Sequence, residues 1–234
     1  MHAKLDALKQ QLAAAGQNGA ASDLSALLNG KGGLATGAVA GGLAGLLLGG
    51  KKGRKFAKGA LKLGGVALAG GLAYKAWRDW QANRPPADQG RGYENPQGTV
   101  FLPEDSGARE SLSRIVIRAM IAAAKSDGSV TPAERERIYA EIDRMNINAQ
   151  DLAFIRTEFE RPLDINAVAR SASTMEKAAE IYAASLLILD PSDEGDQLYL
   201  RMLARRLDLD SGLVEHLHAN AGRLVETATE AHAI

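Results

Sequence analysis

The stretch AAKSDGSVTPAERERI, residues 123–138, decides the fold of the C-terminal half of the chain. It leaves one apolar helix, turns through Asp127-Gly128 and starts another helix at Thr131-Pro132. Asp-Gly is a turn pair, and Thr-Pro-x-Glu combines a capping hydroxyl, a proline at the first helical position and a glutamate at the third. The stretch therefore predicts a helix–turn–helix unit.

Similar starts recur through residues 108–234, each before apolar residues at helical spacing. The predicted starts are Thr131, Asp151, Asp164, Ser173 with Glu176 as a capping box, Asp193, and Asp210 or Ser211. No segment alternates as a strand would. We predict an all-α bundle of about seven helices for this region.

A weak internal repeat runs through the predicted bundle. Residues 121–155 and 185–217 each contain an apolar helix, an acidic turn, a helix, a short link and another helix. Two such units packed face to face would bury both apolar stripes.

Two interpretations of the acidic turns stay open. Glu134 can cap the helix that begins at Thr131 without any metal. Alternatively, Asp127 and Glu134 supply two of the several oxygen ligands that a hard cation needs, and Asp190 and Asp196 lie in the second acidic turn. The second interpretation predicts a weak Ca²⁺-like site if the repeat brings the two turns together.

A glycine-rich apolar segment occupies residues 32–50, without a charge between Lys31 and Lys51. Its length is close to the roughly 20 residues that a helix needs to cross a bilayer. Glycine recurs at every fourth position, which gives a helix a flat stripe suited to close helix–helix packing in lipid. The stripe consists of Gly33, Gly37, Gly41, Gly45 and Gly49. We predict a membrane span that favours a homo-oligomer.

A basic cluster at residues 51–62 follows this segment, and such clusters stay on the cytoplasmic side of a span. A second apolar run, residues 63–74, is short for a span and is closed by Trp77 and Trp80. With one span, this run lies at the interface or packs on the first run. If it also crosses, the two runs form a hairpin and both chain ends face outward. We favour one span, in a bacterial inner membrane, with a cytoplasmic C-terminal domain.

Four regions result from these predictions. Residues 1–30 form an amphipathic arm, 31–80 the membrane segment with its basic cluster, 81–107 a Pro/Gly-rich linker, and 108–234 the bundle. Within the linker, Val100, Phe101 and Leu102 are expected to dock on the bundle.

Composition narrows the classes of function. The formal net charge is zero, so bulk charge gives no attraction to nucleic acid. The chain has no cysteine, which excludes disulfides and thiolate chemistry.

His216 and His218 are two residues apart and face different sides of a helix, so they cannot share a metal. No nucleophile elbow, phosphate loop or zinc signature is present, and we expect no enzyme.

The Asp-Gly turn, the Thr-Pro-x-Glu start and the acidic turn before YLRMLARRLDLD resemble the TerB-like (tellurite-resistance B) all-helical fold. The whole layout resembles the DUF533 (YebE-like) family of bacterial membrane proteins. The resemblance implies an interaction or sensing module and a divalent-metal site at acidic loop positions, which map to Asp127, Glu134, Asp190 and Asp196. The second turn departs from the pattern, since Pro191 replaces the glycine and an aspartate replaces the glutamate.

Three hypotheses about function follow. The first is a membrane-anchored module that binds an unknown protein partner, with a link to envelope stress. The second is a divalent-metal sensor whose acidic turns become ordered on binding. The third is a hydrolase, which is disfavoured because no acid, base and nucleophile converge in the sequence.

Overall fold

The computed structural model describes residues 65–82, 96–126, 130–131, 135–136, 138–140 and 148–230, without side chains beyond residue 222. The described residues are helical, apart from connecting turns and one isolated β-bridge. The helices whose bounds the structure gives are α1 (Gly65–Gln81), α2 (Ser106–Ala124), α3 (Ala149–Glu160), α4 (Ile165–Arg170), α5 (Met175–Ile188), α6 (Glu194–Arg206) and α7 (Ser211–Glu230), and residues 135–136 and 138–140 are helical as well. The prediction of an all-α fold is confirmed.

Three of the predicted helix caps are confirmed. Asp164, Asp193 and Asp210 precede α4, α6 and α7, and each accepts hydrogen bonds from backbone N–H groups two or three residues further on. A carboxylate at this position accepts hydrogen bonds from N–H groups of the first turn that have no acceptor within the helix. Its negative charge also suits the positive end of the helix dipole.

Two other starts lie at different residues from those predicted. Thr174, not Ser173, caps α5: its backbone is extended and its hydroxyl accepts from the N–H of Lys177 at 3.3 Å. Asn148, not Asp151, caps α3, with its side-chain oxygen 2.9 Å from the N–H of Asp151. In both cases the cap lies three positions before the residue whose N–H donates to its side chain. From that position the side chain reaches the first turn of the helix.

Helix α5 forms the centre of the bundle. Every residue from Ala178 to Ile188 is buried, as expected of a helix that lacks a polar face. Helices α1, α2 and α7 pack against α5, and α4 and α6 contact it as well. The first helices of the two repeat units, α2 and α5, therefore pack on each other, as the repeat predicted.

The described part of the second apolar run lies in the core of this bundle. It belongs to α1, whose buried residues include Leu68, Leu72 and Ala76, and α1 packs on α5 and α7. The expectation that this run lies at the interface or packs on residues 32–50 stays a prediction, because residues 32–50 lie outside the described residues. The predicted division between 31–80 and 108–234 separates α1 from the helices on which it packs.

A tight turn at residues 96–102 lies within the predicted linker. The N–H of Gly98 donates to the carbonyl of Leu102 at 3.0 Å, and Gln97 forms an isolated bridge with Leu102. Phe101 is 2% exposed, as expected of a docked side chain, but its ring lies near Tyr74 and Trp77 on α1 and not near a ring of residues 108–234 that the structure describes. Val100, in contrast, faces solvent.

No helix among the described residues combines the length and apolar character that a membrane crossing requires. The predicted span at residues 32–50, with Gly33, Gly37, Gly41, Gly45 and Gly49, lies outside the described residues. The N-terminal arm and the basic cluster lie outside them too.

Candidate functional site

Asp196 of the second acidic turn contacts Ser126, the residue before the first acidic turn. The side chain of Asp196 is buried, with Oδ2 3.0 Å from the N–H of Asp190 and Oδ1 3.4 Å from the hydroxyl of Ser126. Ser126 follows α2 and directly precedes the first acidic turn, whereas Asp190 and Asp196 belong to the second. The end of the segment that leads into the first turn thus contacts the second turn.

The second turn is closed by its own hydrogen bonds. Asp190 Oδ1 accepts from the N–H of Ser192 at 2.9 Å and from its hydroxyl at 2.6 Å. Gln197 Nε2 donates to the carbonyl of Pro191 at 2.8 Å. The carboxylates of Asp190 and Asp196 are therefore held by N–H and O–H donors, with which a cation would compete for the same oxygens.

The predicted metal ligands are described only in part. Asp190 and Asp196 both lie at the second turn, where the N–H of Asp190 donates to Asp196, whereas Asp127 and Glu134 lie outside the described residues. Within the described residues, no three carboxylate or imidazole side chains are arranged to hold a metal ion. The carbonyl of Thr131 accepts from the N–H of Arg135 at 3.0 Å, which agrees with the predicted helix start.

An ionic clamp joins α2 to α3. Arg114 lies 2.9 Å from the buried carboxylate of Asp151, and Arg118 lies 2.9 Å from that of Glu158. The ring of Phe154 lies beneath both guanidinium groups, at 4.9 and 5.7 Å. Sequence spacing did not predict this clamp, although Arg114 and Arg118 share a helix face and so do Asp151 and Glu158.

Lys125 closes the far end of the same interface. Its Nζ donates to the carbonyls of Glu158 and Phe159 at 3.1 and 3.3 Å, and also to that of Arg161. These carbonyls end α3, where the helix dipole favours a cation. Burial lowers the pKa of Lys125, and the charge of Glu158 partly opposes that shift.

Residues 33–221 match the model of a protein family described as "Protein of unknown function (DUF533)". The chain belongs to this family. A relative from Yersinia enterocolitica, described as "Uncharacterized protein in ampR 5'region", is 28% identical over 117 residues, which cover 50% of this chain and 81% of the relative. No solved structure matches.

The two neighbouring histidines of this DUF533 protein have different surroundings. His218 Nε2 lies 2.8 Å from the hydroxyl of Tyr182 on α5, and His216 is buried on α7. Burial lowers the pKa of His218 and raises that of Tyr182 to about 12. Both members of the His218–Tyr182 pair are thus neutral at pH 7. Like the clamp between α2 and α3, this pair was not predicted from the spacing of residues in the sequence.

A buried carboxyl group lies in the core of the DUF533 bundle. Glu180 on α5 is 1% exposed, and neither of its carboxyl oxygens has a hydrogen-bond partner among the described residues. Burial raises its pKa well above the ordinary range, and the nearby charge of Lys177 opposes the shift. The hydrophobic pattern gave no sign of this group, because a lone glutamate within a long apolar helix carries no spacing signal.

Proposed function

We propose that this DUF533 protein is a membrane-anchored helical module that binds a protein partner. The observation that carries the proposal is the position of α1 in the bundle core. α1 begins at Gly65, three residues after the last lysine of the basic cluster, and buries Leu68, Ala69 and Leu72 against its neighbours.

This arrangement would couple the apolar segment closely to the bundle. The Pro/Gly-rich region lies between α1 and α2, and so it does not separate residues 32–50 from the first core helix. In this proposal residues 32–50 cross the inner membrane, their glycine stripe drives self-association, and the basic cluster contacts anionic lipid on the cytoplasmic side. The bundle, of TerB-like fold, then acts close to the membrane surface, with envelope stress as the setting.

Fractionation of the full chain tests the anchor. We expect the intact protein to sediment with membranes after a carbonate wash, and a variant lacking residues 32–50 to move to the supernatant. A C-terminal reporter that is active only in the cytoplasm is expected to be active. Recovery of the intact chain in the supernatant without detergent would exclude the anchor, and an inactive reporter would reverse the proposed side.

A second candidate function is divalent-metal sensing, favoured by the contact between Ser126 and Asp196. A cation bound between the turns would recruit Asp127 and Glu134 from the first turn and Asp190 and Asp196 from the second. Carboxylates of this kind suit Ca²⁺.

Calorimetry of the full chain with Ca²⁺, Mn²⁺ and Zn²⁺ tests the sensor. Binding heat that disappears in Asp127→Ala and persists in Glu215→Gln, an exposed site on α7, is the expected result. The sensor is excluded if none of the three metals gives heat, or if Asp127→Ala leaves the heat unchanged.

A further inference from the structure

Glu180 faces the point where α1 and the turn at Phe101 meet α5. A Cβ atom placed on Gly70 of α1 would lie 3.3 Å from Glu180 Oε1 and 2.5 Å from the carbonyl oxygen of Phe101. The absence of a side chain at Gly70 thus forms a notch that admits both oxygens. The carboxyl group of Glu180 therefore lies in the interface that holds α1 and this turn in place.

The charges on the surrounding helices do not compensate Glu180. Lys177, one turn earlier on α5, is the one charged group with a distinct effect on its pKa, and Lys177 Nζ also donates to Ser173 at 3.1 Å. Among the described residues, several titratable groups on the helices packed against α5 have contacts of their own. They include the Lys75–Asp79 pair on α1, Arg114 and Arg118 bound to α3, Arg170 paired with Asp164 on α4, Asp196 on α6 and His218 bound to Tyr182.

An ionised carboxylate at this position would be shielded from water, and among the described residues only the charge of Lys177 would partly compensate it. Burial of an uncompensated charge is costly, so the group binds a proton instead. Separation of α1 and the Phe101 turn from α5 would expose Glu180 to water and remove that cost.

We propose that Glu180 is a proton-binding site whose protonated form keeps α1 and the Phe101 turn docked on α5, and whose ionisation favours their release. The site lies within the bundle, so the proposal does not require the membrane anchor. The ligand is a proton, delivered by solvent whenever the interface opens.

Proton linkage determines how strongly, and in which direction, pH changes the docking of α1 and the Phe101 turn on α5. A solvent-exposed glutamate has a pKa of about 4.3, and the docked group has a raised one. Docking is therefore strongest below about pH 4.3, where both forms are protonated, and weakens as the pH rises toward the raised pKa. Across that window the ratio of released to docked protein rises about tenfold per pH unit.

Tryptophan fluorescence reports on this step directly. The chain has two tryptophans, Trp77 and Trp80, and both lie on α1. We would record emission of the full chain between pH 5 and 9 for the natural protein, for Glu180→Gln and for Glu215→Gln. Glutamine keeps the shape of Glu180 without a titrating proton, and Glu215→Gln removes the same charge from an exposed site on α7.

The expected result is a red shift of the emission with rising pH in the natural protein and in Glu215→Gln, and a flat profile in Glu180→Gln. Hydrogen exchange of residues 65–81, corrected for the intrinsic pH dependence of exchange, should accelerate over the same pH range unless Glu180 is replaced. Identical profiles in the natural protein and Glu180→Gln, or no change in either measurement from pH 5 to 9, would overturn the proposal.

Discussion

The indole Nε1–H of Trp80 donates a 3.0 Å hydrogen bond to Oδ1 of Asp210, and this bond ties the end of α1 to the start of α7. The same oxygen accepts from the N–H groups of Gly212 and Leu213 at 2.8 and 3.3 Å. One carboxylate therefore caps a helix and also holds a second helix against it. Trp80 and Asp210 are 130 positions apart in the sequence.

We expect Asp210→Ala to lower the free energy of unfolding by more than Trp80→Phe. The alanine removes both the cap, which contributes about 1 kcal/mol, and the bond to Trp80, whereas phenylalanine removes only that exposed bond, at about 0.5–1 kcal/mol. Urea unfolding followed by circular dichroism measures both changes. In a double-mutant cycle the two losses should be less than additive, and strict additivity would show that the bond contributes nothing.

Gly70 should not tolerate a methyl group. The Cβ of Gly70→Ala would lie 2.5 Å from the carbonyl oxygen of Phe101, which is backbone and cannot move aside alone. We expect a loss of about 1–3 kcal/mol of stability, typical of an overpacked core, together with weaker docking of the Phe101 turn.

Gly222 provides the matched control for Gly70. It also lies within a helix, but a Cβ there would meet no atom of the described residues within 4 Å. Gly222→Ala should therefore stabilise the protein by about 0.5–1 kcal/mol, since alanine favours the helix. Thermal unfolding of Gly70→Ala and Gly222→Ala measures both changes in stability. Equal shifts in Tm would contradict the proposed clash at Gly70.

Local sequence signals predicted the helices well and the placement of α1 poorly. Asp164, Asp193 and Asp210 were found because a cap acts on N–H groups only two or three residues away. The apolar stripe of Leu68, Leu72 and their neighbours suits lipid and a protein core equally, and only tertiary contacts distinguish the two.

The same limit applies to the candidate sites. The repeat suggested that two similar units pack face to face, but it did not name the contact of Ser126 with Asp196. The Arg118–Glu158 pair and the unpartnered Glu180 were not predicted either, since burial and distance across helices leave no local pattern.

The clamp between α2 and α3 should matter more than an exposed ion pair. Glu158 is 8% exposed and accepts from both Arg118 and Arg161, at 2.9 and 3.0 Å. Glu158→Gln weakens these bonds inside a largely buried site, and we expect a loss of about 1–3 kcal/mol. Denaturant unfolding monitored by circular dichroism measures it.

Arg170 and Asp164 form the comparison pair. They lie 3.6 Å apart with most of the Arg170 side chain and half of that of Asp164 exposed, so Arg170→Gln should change stability by less than about 0.5 kcal/mol. If the two substitutions have equal effects, burial does not strengthen the clamp.

Acid should weaken the contact between His218 and Tyr182. This pH dependence is opposite in sign to that of the docking that Glu180 controls. Burial lowers the pKa of His218 in the folded protein, so the unfolded chain binds this proton more readily, with a pKa of about 6.5. The stability contributed by neutral His218 is present above about pH 6.5 and is lost as the pH falls toward the lowered value. We expect the free energy of unfolding to drop between pH 7.5 and pH 5 by more in the natural protein than in His218→Gln, which cannot titrate. The difference between the two proteins isolates this histidine from Glu180 and from the other carboxylates. An equal drop in both would mean that protonation of His218 does not affect the fold.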